Sequence, residues 1–123
     1  MGNSILLIDH DRLFRRDVRL YLEKCGFYCK EANDGREALA LLDGGFNVDV
    51  ILSKYQTPII NGLSFLKALS YRVNGQHVRV ILLNSHMTNE MEHEAKQAGA
   101  FEVLAKPYDL RELLELVARA CKQ

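Results

Sequence analysis

Five short apolar runs alternate with stretches of helical periodicity, and this alternation constrains the fold of the chain more than any other feature. Ile5 to Ile8 is continuously apolar, as a strand buried on both faces must be. Weaker or longer runs follow at Phe27 to Ala32, Val48 to Leu52, Val78 to Leu83 and Phe101 to Ala105. The fourth run is the most apolar, which assigns it the centre of the sheet. Between the runs, apolar residues recur at helix spacing. The first set is Phe14, Val18, Tyr21 or Leu22, and Cys25. The second is Ala38, Leu41 and Leu42. A helix from about Leu63 to Val73 buries Leu66, Leu69 and Val73. The last stripe is Leu110, Leu113, Leu114, Val117 and Cys121.

The punctuation agrees with this division. Asp11 can cap the first helix, Asp34-Gly35-Arg36-Glu37 reads as a turn into a capping-box-like start, and Asp109 with Glu112 caps the last. Asn89 and Glu92 open the fourth helix. Gly26, Gly44-Gly45 and Gly99 close helices, and Asn74-Gly75 turns the chain. Strands that alternate with helices need right-handed crossovers, hence a parallel sheet with helices on both faces.

A chain of 123 residues with 48% apolar content builds one domain, spanning 1–123, with a core of its own. The formal net charge is zero, so no basic field is available to hold nucleic acid directly. Any DNA contact would belong to a partner or an attached domain. No apolar run approaches the roughly 18 residues of a membrane helix, and because the strand pattern starts at once no signal peptide is expected. A cytoplasmic protein without membrane contact is expected. Cys25, Cys29 and Cys121 are odd in number and match no zinc spacing, so they read as reduced, mostly buried thiols.

In an open α/β sheet the functional crevice lies at the carboxyl ends of the strands. Those ends carry Asp9-His10-Asp11, Ser53-Lys54, Asn84-Ser85 and Lys106-Pro107. Charges also mark where a buried strand surfaces, but four strand ends converging on one crevice favour function. His77, His86 and His93 are scattered, Arg15-Arg16 reads as a solvated helix face, and Ser85 has no base beside it. No nucleophile–base pair is present, so the chain is not expected to be an enzyme.

Ile5-Leu6-Leu7-Ile8-Asp9, Pro58-Ile59-Ile60-Asn61-Gly62, Ala98-Gly99-Ala100 and Lys106-Pro107-Tyr108 stand in an order and spacing that resemble the receiver domain of bacterial two-component response regulators. The resemblance spans nearly the whole chain. It implies a doubly wound, five-stranded parallel sheet of order 2-1-3-4-5, flavodoxin-like, with five helices. The family's chemistry is phosphoryl transfer to an aspartate at the end of the third strand. Magnesium bridges that aspartate and an acidic pair after the first strand, and a lysine after the fifth strand pairs with the phosphate. A hydroxyl after the fourth strand and an aromatic in the fifth then move.

Carried over by residue, Asp9 matches the first acidic partner and Lys106 the phosphate-pairing lysine. His10 replaces the second acid. Lys54, four residues before Pro58, occupies the acceptor position. Asn84 replaces the switch hydroxyl and Val103 the switch aromatic. Three carboxylates would give magnesium about −3, whereas Asp9, Lys54 and a His10 counted as neutral sum to about zero. Magnesium binding is therefore expected to be lost, with no other cofactor, and Lys54 is expected to pair with Asp9.

These departures lead to a phosphorylation-independent receiver-like domain. It would regulate an attached or partner output, in transcription control, through protein contacts. Dimerisation is expected through residues 89–121, where Glu90, Glu94, Glu102, Arg111, Glu115 and Arg119 suit a two-fold contact. Two alternatives stand beside this: a phosphoacceptor using Asp11 or Asp49, and a small-molecule sensor in the vacated crevice.

Overall fold

The computed structural model describes residues 3–72, 77–105 and 109–122. Ten elements alternate: β1 (Ser4–Ile8), α1 (Arg12–Lys24), β2 (Tyr28–Ala32), α2 (Gly35–Asp43), β3 (Val50–Lys54), α3 (Gly62–Ser70), β4 (Arg79–Asn84), α4 (Asn89–Gln97), β5 (Glu102–Ala105) and α5 (Leu110–Cys121). The strands form one sheet of order β2-β1-β3-β4-β5, and every neighbouring pair is parallel. The expected topology is the observed one.

The expected centre is displaced by one strand. β3 holds the middle and β4 lies beside it. Both are paired on two edges and covered on two faces, so apolar content does not rank them. β3 also runs two residues later than its apolar run suggests. Its pairing with β1 sets Ile5 opposite Val50 and Ile8 opposite Ser53, which leaves Val48 buried ahead of the strand and makes Lys54 its last residue.

Alternating strand side chains feed two cores. Leu6, Ile8, Ile51, Val80 and Leu82 pack with α2, α3 and α4 through Ala38, Leu42, Phe65, Leu66, Leu69 and Ala95. Ile5, Leu7, Val50, Leu52, Ile81 and Leu83 pack with α1 and α5 through Val18, Leu22, Leu113, Val117 and Ala120. α1 and α4 therefore lie on opposite faces of the sheet.

Capping holds the helix starts in place. Asp11 accepts from the Phe14 N–H at 3.1 Å, and Asp34 accepts from the Glu37 N–H at 2.9 Å. The α2 box is incomplete, because Glu37 accepts from the Asn33 N–H instead. The α5 box is complete: Asp109 accepts from the Glu112 N–H at 2.8 Å and its own N–H donates to Glu112 at 3.4 Å. α4 is capped by Thr88, which accepts from the Met91 N–H, so Asn89 is its first helical residue rather than its cap. Gly26 and Gly99 leave α1 and α4 at φ +99 and +107, a region that favours glycine.

The three thiols are free, but only Cys29 is buried; Cys25, beyond the end of α1, is exposed. Burial pushes the Cys29 thiol up to about 12, so it stays protonated at neutral pH. Val73, Asn74 and Gly75, expected to finish α3 and turn the chain, lie outside the described residues. No helix among the described residues is long and apolar enough to cross a membrane.

Candidate functional site

Strand register brings the expected residues to one end of the sheet. Ile8 pairs with Ser53, so Asp9 emerges beside Lys54. Lys54 pairs with Leu83, so Asn84 emerges one step beyond. Val103 pairs with Leu82 and is half-buried against the core beneath α4. Lys106, expected to complete the crevice with Pro107 and Tyr108, lies outside the described residues.

Asp9 is buried and held at three atoms. Its N–H donates to the Ala32 carbonyl at 3.2 Å. Its carbonyl accepts from the Arg15 guanidinium at 2.5 Å, and its Oδ1 accepts from the Asp11 N–H at 2.9 Å. His10 is exposed, with Nδ1 3.8 Å from the same Oδ1. The expected Lys54–Asp9 ion pair does not form: none of the ion pairs among the described residues includes Lys54. The physical reason is that Asp9 Oδ1 already accepts a backbone hydrogen bond, while Lys54 is only half-buried and keeps contact with water. An exposed ammonium gains little from ordering itself onto a carboxylate.

The other carboxylates considered do not replace it. Asp11 is engaged with the first turn of α1. Asp49 accepts from the Ser4 N–H at 2.8 Å, at the opposite end of the sheet. All four histidines are exposed, and the described residues contain no group of three or more His, Cys, Asp or Glu that could hold a metal ion.

Asn84 is buried, at 3% exposure. Its Nδ2 donates to the His86 carbonyl at 2.7 Å, a bond to its own chain two residues on. That bond fixes the amide orientation and leaves Oδ1 buried with no hydrogen-bond partner. Ser53 faces into the protein and donates to the Lys54 carbonyl.

The loop from β3 to α3 is tightly built. The Tyr55 N–H donates to the Leu83 carbonyl and the Gly62 N–H to the Tyr55 carbonyl, both at 2.6 Å. A Cβ at Gly62 would stand 3.1 Å from Tyr55 Cα and O, so a side chain there would press on the Tyr55 backbone. Thr57 donates to the Ile60 carbonyl and closes the turn. Ile59 pays for that turn with φ +72 while 67% of it is exposed. A β-branched residue in the left-handed region is strained. Ile59→Gly should therefore raise stability by about 0.5–1 kcal/mol, net of the flexibility glycine adds to the unfolded chain. A urea midpoint that stays put or falls would contradict this.

The residue that sequence reasoning missed is Arg15. It is not a solvated helix residue: its side chain is 11% exposed and its Nε lies 2.6 Å from Glu31. Arg19, one turn on, reaches the other oxygen of Glu31 at 2.5 Å and Glu23 at 3.1 Å. Burial alone would push the Glu31 carboxyl up, but hydrogen bonds from Arg15 and Arg19 outweigh it and hold the group below its ordinary value. The available signal was Arg15 and Arg19 at i and i+4, facing a charged residue in the weak edge strand.

The sequence matches the response regulator receiver domain over residues 5–118. The chain belongs to this family. It is 35% identical to the regulatory protein AtoC of Escherichia coli over 96% of this chain and 25% of that protein. It is 33% identical to the DNA-binding transcriptional regulator NtrC of Salmonella typhimurium, over 94% of this chain and 24% of that protein. It thus spans about a quarter of these relatives. The solved chemotaxis protein CheY4 of Vibrio cholerae superposes with a TM-score of 0.91 at 29% identity, covering 98% of this chain and 99% of that one.

Within the receiver, the 89–121 face is only partly free. Glu102 accepts from Lys96 at 2.8 Å and lies 3.3 Å from Arg119, which also sits over the Phe101 ring. Burial pushes the Glu102 carboxyl up, but the Lys96 and Val103 hydrogen bonds prevail and hold it low. Glu90, Glu94, Arg111 and Glu115 remain exposed.

Proposed function

We propose that this receiver works without phosphoryl transfer, as a protein-interaction module that controls an attached or partner output. Transcription control is the output suggested by relatives named as regulatory and DNA-binding transcriptional proteins. The net charge of zero fits a division of labour in which an attached domain, not the receiver, contacts DNA.

The observation that carries the reading is Lys54 as the last residue of β3, at the strand end next to Asp9. An ammonium cannot form an acyl phosphate. The donors present also do not suit magnesium, a hard cation that wants several anionic oxygens. Among the described residues at these strand ends, Asp11 is engaged with the first turn of α1, which leaves the Asp9 carboxylate with the Lys54 ammonium and the His10 imidazole as neighbours in the chain and the sheet. Asn84 adds a second reason, because its amide is bonded to the His86 carbonyl instead of carrying a hydroxyl free to follow a phosphoryl group. Val103 offers no aromatic ring to move with it.

The test is a titration with magnesium and beryllofluoride, followed by amide chemical shifts. We expect no saturable change around Asp9 and Lys54. Saturable shifts at both would overturn the reading.

A further inference from the structure

Two helices of this receiver carry opposite excesses of charge, α1 basic and α4 acidic. Arg12 and Arg16 stand one turn apart on the outer face of α1, with Leu13 and Leu20 exposed beside them. Neither arginine takes part in an ion pair among the described residues. Their placement is unfavourable within the chain itself. Like charges at i and i+4 repel, and Arg12, next after the Asp11 cap, stands at the positive end of the helix dipole.

α4 shows the complement. Glu90 and Glu94 also stand one turn apart, exposed and outside every ion pair among the described residues. Because Lys96 and Arg119 are spent on Glu102, the α4 side of the 89–121 face is left acidic. A two-fold contact through α4 would set acid against acid. A basic surface of matching spacing exists on α1, on the other face of the sheet.

We infer that α1 of one copy docks on α4 of a second copy of this chain. Arg12 and Arg16 meet Glu94 and Glu90, and the exposed Leu13 and Leu20 lie on the same side of α1 and are shielded from water as the helices close. The contact is heterologous, so each added copy leaves one free α1 and one free α4, and the assembly grows head to tail. The inference rests on reading the receiver as an interaction module, but its test does not involve phosphodonor and fails separately.

Sedimentation velocity across protein concentration tests it. At about 0.01 M salt, where screening reaches about 30 Å, the sedimentation coefficient should rise with concentration. At about 1 M salt, where screening shortens to about 3 Å, the rise should vanish. Two double variants, Arg12→Glu with Arg16→Glu, and Glu90→Arg with Glu94→Arg, should each weaken association about tenfold or more. Their equimolar mixture should restore it, because each supplies the charge the other lacks. All four side chains are exposed, and circular dichroism checks that the variants fold. Arg12→Gln with Arg16→Gln, which introduces no new charge, should weaken association less. A monomer under all conditions would overturn the inference. So would association that ignores the α1 changes, which would indicate a contact through α4 and α5 alone, or a mixture that fails to recover.

Discussion

Lys54→Asp alone should leave the receiver almost unlabelled by acetyl phosphate, whereas Lys54→Asp combined with His10→Asp and Asn84→Thr should take up phosphoryl groups readily. The single change raises the carboxylate charge at the strand ends to about −2, with Asn84 still bonded to the His86 carbonyl. The triple change brings it to about −3, the charge the family resemblance associates with magnesium, and puts a hydroxyl where the buried amide oxygen now lacks a partner. Label should be magnesium-dependent and released by hydroxylamine, as an acyl phosphate is. Mass spectrometry of the intact chain reads the outcome. A single variant that labels as fast as the triple would show that His10 and Asn84 do not matter. Label on the unaltered chain would revive another carboxylate as acceptor.

Glu31→Ala should cost about 2–4 kcal/mol of unfolding free energy. Glu31 divides its two oxygens between Arg15 and Arg19, and its removal leaves the nearly buried Arg15 guanidinium with only neutral partners. Arg19→Ala should cost less, since Arg19 is more exposed and leaves the Arg15–Glu31 bond intact. The pH dependence has a definite sign. The folded-state value of Glu31 is depressed, so its contribution is complete above the unfolded value of about 4.5 and is lost as pH falls through the folded value. Urea midpoints of the parent and Glu31→Gln should therefore differ most near neutrality and converge in acid. A gap that persists unchanged in acid would mean that Glu31 acts by packing and not by charge.

The strand–helix alternation made the topology legible, because each apolar run and each cap is a local signal. Strand order followed from the family resemblance and is the one observed. Register was less legible: the start of β3 depends on which β1 residues it meets, and nothing within Val48 to Leu52 encodes that choice. The strand-end positions of Asp9, Lys54 and Asn84 were readable from the motifs. Their contacts were not. Lys54 failed to reach Asp9 because Asp9 bonds its own following backbone, a preference of the turn and not of the charges. Arg15 was misread for a similar reason, since adjacent Arg15 and Arg16 look alike in sequence and only three-dimensional placement separates the buried one from the exposed one.

The zero net charge conceals a separation. α1 carries five basic side chains against two acidic, α4 carries three acidic against one basic, and the sheet stands between them. The receiver is therefore an electric dipole with no monopole. Far from a charged object it feels little net pull, but as it approaches it feels a torque, which salt screens. A negatively charged surface turns α1 forward and a positively charged one turns α4 forward. The receiver should consequently be retarded on both cation and anion exchangers at low ionic strength, where the field biases its orientation before contact is made.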